Sequence, residues 1–156
     1  MMLRAIELAK KAHGEIPVGA VIVQDGKIIA SACNRKEELN DVSAHAEILA
    51  IREAERILGR WRLEDCTMYV TLEPCPMCAW AIINARLKAV YFGSYDANYG
   101  ALGSAIDLRP LINSKLQVCG GIMEDECNEI LDDYFAKKRL TLSLRERVQT
   151  LSETEG

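Results

Sequence analysis

The chain has 156 residues, 49% of them hydrophobic and 27% charged, the make-up of one globular domain rather than of a disordered or low-complexity protein. No apolar run approaches the roughly 20 residues that a bilayer crossing needs, and residues 1–13 show neither an apolar h-region nor a small-residue cleavage site, so the expected setting is cytoplasmic, with no membrane partner. The net charge of −4 excludes a generally basic nucleic-acid binder but leaves room for a local basic patch.

Residues 3–13 carry Leu3, Ile6, Leu8 and Ala9 at helical spacing, and Gly14 closes that segment. Val18–Val23 is a β-branched apolar run, Asp25-Gly26 a two-residue turn and Lys27–Cys33 an alternating strand, together a β-hairpin. Residues 34–41 are polar and read as a loop. Ser43 is a candidate N-cap for a helix over 44–58, closed by Gly59. Thr67–Leu72 is a strand, and Pro76 suits the first turn of a helix running to Ala85, where a missing N–H costs nothing. Ala89–Phe92 is a strand, residues 94–105 a loop over a short helix, and Lys115–Cys119 a short strand. Residues 123–139 form an amphipathic helix, 140–151 extend it, and 152–156 are a frayed, disordered tail. Alternating strands and helices imply a single α/β domain over residues 1–151, one sheet covered on both faces. The Gly100-x-x-Gly103 pair is too sparse for a phosphate loop.

The six cysteines have the reduced setting in which clusters mean metal or catalysis. Only Cys75 and Cys78 lie close in sequence; Cys33, Cys66, Cys119 and Cys127 read as buried apolar fillers. Pro74-Cys75-Pro76-Met77-Cys78 opens one helix, and His45 opens another, two residues before Glu47. Thiolate and imidazole suit zinc, whose catalytic sites use three protein ligands and leave a fourth position to water. His45, Cys75 and Cys78 supply one such set, hence one Zn2+ per chain. A helix N-terminus also favours the thiolates that zinc requires. Zinc acidifies water toward a pKa of ~7, and deamination needs, in addition, a carboxylate that shuttles protons. Glu47 stands where it can do so without binding the metal, and H-x-E followed by P-C-x-x-C is the signature of zinc-dependent nucleobase deaminases. A thioredoxin-like dithiol would leave His45 and Glu47 unexplained. A structural zinc site would want a fourth ligand, and the chain has neither a second C-x-x-C nor a histidine besides His13, within the first helix.

Around these residues the chain resembles bacterial tRNA adenosine deaminases. The matching segments are Glu15–Val23, Ala44–Ile48, Ile51–Ala54, Tyr69–Cys75, Met77–Ala79 and Gly100-x-x-Gly-Ser104, within a span of residues 3–139. The resemblance implies a cytidine deaminase-like three-layer α/β/α fold with a five-stranded mixed sheet. It implies hydrolytic conversion of adenosine to inosine at the wobble position of the tRNA anticodon loop, and a homodimer. It also implies that Asn34 hydrogen-bonds the base and that Asp96 contacts the ribose. The chain departs from the family's usual residues at Val42-Ser43, Trp80 and Asn113-Ser114, and Tyr95 and Tyr99 are bulky for their loop. Two alternatives stand beside this reading: a deaminase of a free base or nucleoside of guanine or cytosine type, and a non-catalytic zinc-binding domain. Lys137, Lys138, Arg139, Arg145 and Arg147 are the candidate local basic patch for RNA. Trp80, on the metal-binding helix, is expected to be buried near a dimer interface.

Overall fold

The computed structural model describes residues 1–154. Helix α1 (Met2–Ala9) leads into the hairpin β1 (Gly19–Gln24) and β2 (Lys27–Cys33). A one-turn helix α2 (Lys36–Leu39), then α3 (Ala46–Leu58), β3 (Cys66–Leu72), α4 (Pro76–Asn84), β4 (Ala89–Ser94), β5 (Gln117–Cys119) and α5 (Glu124–Thr154) complete the order. The five strands form one sheet in the order β2-β1-β3-β4-β5. The pairs flanking β1 are antiparallel, and β3-β4-β5 run parallel. This is the mixed sheet expected. The antiparallel pair needs only the Asp25-Gly26 turn, whereas the parallel step from β3 to β4 needs the α4 crossover.

Alternation along the strands divides the core in two. Ala20 and Ile22 of β1 pair with Val70 and Met68 of β3 and join Val90 and Phe92 under α3 and α4. Val21 and Val23 turn the other way, toward Met2, Ala5, Ile6 and Leu8 of α1 and Cys127 of α5. With both faces covered, β1 is an almost continuous apolar run. At Gly19, an added Cβ would lie 2.0 Å from the Ala5 carbonyl oxygen and 2.7 Å from the Ala9 nitrogen. Helix α1 therefore rests directly on the strand backbone at that point.

Several expectations are corrected. Helix α1 ends at Ala9, and residues 10–13 continue as turns. The polar stretch 34–41 contains α2, because the buried Glu15 carboxylate accepts the backbone N–H groups of Glu37 and Glu38 at 2.7 and 2.9 Å, a capping charge at the positive helix end. Strand β4 extends to Ser94 through pairing with Leu72. Cys66 and Cys127 are buried as expected, Cys33 is half-buried, and Cys119 is exposed on the short edge strand β5. Helix α5 is a single 31-residue element, so residues 152–154 are helical rather than frayed; residues 155 and 156 lie outside the described residues. Among the described residues no helix is long and apolar enough to cross a membrane.

Gly19→Ala should lower stability by about 1–3 kcal/mol, the usual cost of overpacking, because the obstruction is backbone and α1 must slide to relieve it. A urea denaturation midpoint unchanged from the parent would show that α1 does not seat on β1 in this way.

Candidate metal centre

Two helices begin side by side at one end of the sheet. His45 is the N-cap residue of α3 and Cys75 that of α4, both with extended backbone. Pro76 occupies the first turn of α4, and Cys78 follows within it. The cap of α3 is not Ser43, whose backbone N–H and hydroxyl both donate to Asp41 Oδ1, at 2.8 and 2.7 Å. Asn34 takes that place: its Oδ1 accepts the Ala46 N–H at 2.8 Å, and its Nδ2 donates to the Ile16 carbonyl at 2.9 Å. Asn34 thus ties the end of β2 and the Ile16 segment to the helix that carries His45 and Glu47.

The side chains of His45, Cys75 and Cys78 converge, with all three donor atoms within 4.8 Å of one another. His45 Nδ1 lies 3.4 Å from Cys78 Sγ and 3.8 Å from Cys75 Sγ. Tetrahedral ligands on zinc, with bonds of about 2.0–2.3 Å, stand roughly 3.6 Å apart, and the two imidazole–sulfur distances match that spacing. Cys78 is buried, while His45 and Cys75 are half-buried. The electrostatics agree. The Cys78 thiol donates toward Cys75, and that bond, aided by His45 against the cost of burial, pulls the Cys75 thiol down to about 4. The same bond, together with burial, pushes Cys78 up. The hydrogen bond with Cys75 also raises the His45 imidazole.

Glu47, in the first turn of α3, is 4% exposed. Burial raises its pKa; the nearby Cys75 thiolate adds to the rise, while its own backbone N–H, the His45 charge and the Cys78 thiol oppose it. A carboxyl group held near the point where it can both take and give a proton suits general acid–base work. Asp96, in the loop after β4, is half-buried, and its Oδ1 accepts the N–H groups of Asn98 and Tyr99 at 3.0 Å each. Tyr99 is exposed, and Tyr95 packs edge-on against Phe92 at 5.1 Å between ring centroids. Trp80 is 46% exposed rather than buried, because it lies on the outward side of α4, away from Cys78, Ala79 and Ile82. One buried charge escapes a motif-based reading. Glu73, two residues before Cys75, accepts hydrogen bonds only from the loop that follows β4. Its partners lie 23–31 residues away, and no local pattern announces them.

Residues 1–94 match the zinc-binding region of cytidine and deoxycytidylate deaminases, and the chain belongs to this zinc-dependent deaminase family. Within it, the chain falls among the tRNA-specific adenosine deaminases: it is 46% identical over 142 residues to the enzyme of that name from Bacillus subtilis, with 88% of each chain covered. A solved structure from work on A-to-I editing by tRNA:A34 deaminases superposes with a TM-score of 0.78 at 45% identity, covering 83% of this chain and 97% of the other. Guanine deaminase from Bacillus subtilis is similar at 37% identity and a TM-score of 0.58, covering 70% of this chain and 88% of that one.

Purified protein should contain close to one zinc per chain by elemental analysis, and His45→Ala or Cys75→Ala should lose most of it. Full retention in both variants would remove these residues from the ligand set.

Proposed function

We propose that this chain hydrolyses adenosine to inosine in tRNA, at the wobble position of the anticodon loop. The three-donor set with a buried, non-ligating carboxylate beside it supports deamination. Similarity to tRNA-specific adenosine deaminases over more than four-fifths of the chain supports the substrate. The likeness to a guanine deaminase favours a free base as the second reading, at lower identity and over less of the chain. An intact Glu47 argues against a non-catalytic zinc domain.

Zinc bound by His45, Cys75 and Cys78 supplies the Lewis acidity that makes water nucleophilic at neutral pH. The remaining work falls to the chain. Addition of water at C6 of adenine puts one proton on the neighbouring ring nitrogen, and departure of the exocyclic amine as ammonia requires another. Glu47 accepts a proton from the water and delivers it to the ring nitrogen, then takes the proton of the new C6 hydroxyl and gives it to the amine, which leaves as ammonia while the C6 carbonyl forms. Burial of Glu47 serves the first step directly, since a carboxylate with a raised pKa is the stronger base toward the water. The second N–H of the Asn34 amide is free to meet the base, and its two structural hydrogen bonds pre-orient the group. The remaining oxygen of Asp96 is available to the ribose, while Oδ1 holds the turn.

RNA docking draws on Lys137, Lys138, Arg139, Arg145 and Arg147 of α5, which are exposed and form no ion pair among the described residues. The cluster starts about 15 Å of helix rise beyond Cys127, where α5 is exposed, which supports a role in docking. The protein acts as a homodimer in the cytoplasm, where tRNA is found. Exposed Trp61, Met77 and Trp80, with a groove between α3 and α4 lined by Ile48, Ile51 and Ala81, give an apolar face suited to a second copy.

Glu47→Gln should keep zinc and fold while slowing inosine formation on an anticodon stem-loop by ~10²–10⁴-fold; near-native turnover would rule out the shuttle. Deamination at subsaturating stem-loop should fall steeply with added salt, each phosphate contact contributing roughly 0.7 to the logarithmic slope. Alanine at Lys137, Lys138 and Arg139 should raise KM and flatten that slope without altering zinc content. No activity on the stem-loop, with turnover of free guanine or cytosine, would replace the tRNA reading by the second one. Light scattering at micromolar concentration should give twice the monomer mass, and Trp80→Glu should shift it toward the monomer; a native monomer would overturn the dimer.

A further inference from the structure

A buried carboxylate survives only when its oxygens are satisfied. Glu73 is 2% exposed, it is not a metal donor, and deamination does not use it. Its four hydrogen bonds all come from residues 96–104. Oε1 accepts the Asp96 N–H at 3.3 Å and the Ser104 hydroxyl in a short contact. Oε2 accepts the Leu102 and Ser104 N–H groups at 3.2 and 3.1 Å. Four donors match the four lone-pair positions of an ionised carboxylate. The backbone on either side adds two more ties, Glu73 N–H to the Ser94 carbonyl at 2.8 Å and Ala101 N–H to the Pro74 carbonyl at 2.9 Å.

Gly100 completes the fit. A Cβ there would stand 2.4 Å from the Glu73 carboxyl carbon and Oε2, and 2.5 Å from the Asp96 carbonyl oxygen. The loop closes around the carboxylate only because this position has no side chain. The turn that presents Cys75 and the loop that presents Asp96 are therefore joined through one buried charge, and one of its four donors is the backbone of Asp96 itself.

We propose that Glu73 is a positioning residue for substrate: acting through the Asp96 backbone and the 95–104 loop, it sets where the nucleotide sits relative to the metal ligands. This rests on the assignment of Asp96 as a substrate contact made above. Glutamine at this position keeps the volume but turns an amide NH2 toward two donors, so part of the loop is released while the fold around Cys75 stays.

The test uses zinc-loaded full-length enzyme and an anticodon stem-loop, with Glu73→Gln, Asp96→Ala, the double variant and Gly100→Ala. Zinc content and thermal midpoint are recorded for each. Glu73→Gln should keep its zinc and raise KM by about tenfold, the size expected for losing one hydrogen-bonded contact to substrate. Its kcat should stay within about threefold of the parent, the signature of lost uniform binding. Gly100→Ala, which forces the carboxylate out, should reproduce the effect. The double variant should be no worse than the worse single variant, because Glu73 acts through Asp96. Should Glu73→Gln fail to fold, Ser104→Ala removes one donor, leaves the carboxylate and should raise KM in the same direction. A native KM in a folded, zinc-loaded variant, or multiplying effects in the double variant, overturns the proposal. If the parent enzyme is inactive on the stem-loop but turns over guanine, the tRNA reading fails. Free guanine carries no ribose for Asp96 to meet, so that outcome overturns the positioning role together with the tRNA reading, whereas a native KM on an active stem-loop assay overturns the positioning role alone.

Discussion

The site depends on bringing two helix N-termini together. Each carries partial positive charge from unsatisfied N–H groups, and α3 and α4 start close enough for side chains of their first residues to lie within 4.8 Å. Such an approach is unfavourable unless negative charge stands between them. Anionic sulfur at Cys75 meets that requirement, and the hydrogen bonds from Cys78 and His45 favour the thiolate there against the cost of burial. Asn34 Oδ1 satisfies one of the exposed N–H groups of α3, and Pro76 in the first turn of α4 has no N–H to satisfy. The electrostatic arrangement that steadies the two helix starts is the one a divalent cation with thiolate ligands needs.

The rest of the fold fixes where those starts can be. Helix α4 must cross from the end of β3 to the beginning of β4, so Cys75 is held at the carboxyl end of the parallel strands, where open α/β sheets place their ligands. Helix α3 lies on the same face, seated by Ala46, Ala50 and Ala54, whose small side chains let it approach Ala20 and Ile22. Glu47 is carried inward by that close seating. A bulkier α3 face would stand farther from the sheet and leave the carboxyl in water, without the burial that raises its pKa.

How much of this is legible in the sequence follows from the range of each interaction. His45, Glu47, Cys75 and Cys78 are readable because zinc ligation at a helix start imposes short, fixed spacings. The hairpin and the sheet order around it are readable because Asp25-Gly26 and strict alternation act locally. The cap of α3 is not: a serine two residues before His45 looks suitable, but Asp41 claims it, and the cap comes from Asn34, 12 residues earlier. Glu15 and Glu73 are opaque for the same reason, since each makes its bonds more than 20 residues away. Trp80 misleads because a large aromatic is assigned to the core by type, whereas its side of α4 is decided by where Cys78, Ala79 and Ile82 point.

Two kinds of rigidity then divide the labour of the enzyme. The helices that carry the metal ligands are seated on the sheet by apolar packing. The 95–104 loop is tied to the turn before Cys75 by four directional hydrogen bonds to one carboxylate, beside backbone bonds to Ser94 and Pro74. Apolar packing tolerates exchanges that conserve volume, but a buried charge tolerates almost none. A deaminase family can therefore keep one chemistry on a common floor while its loops change substrate, and the changes must respect whatever carboxylate the loop is wrapped around. In this chain the bulky Tyr95 and Tyr99 flank Asp96 on the exposed side, while Gly100, Leu102 and Ser104 meet Glu73 on the buried side. A substitution at an outer residue meets solvent, whereas one at an inner residue meets the carboxylate or the backbone that surrounds it.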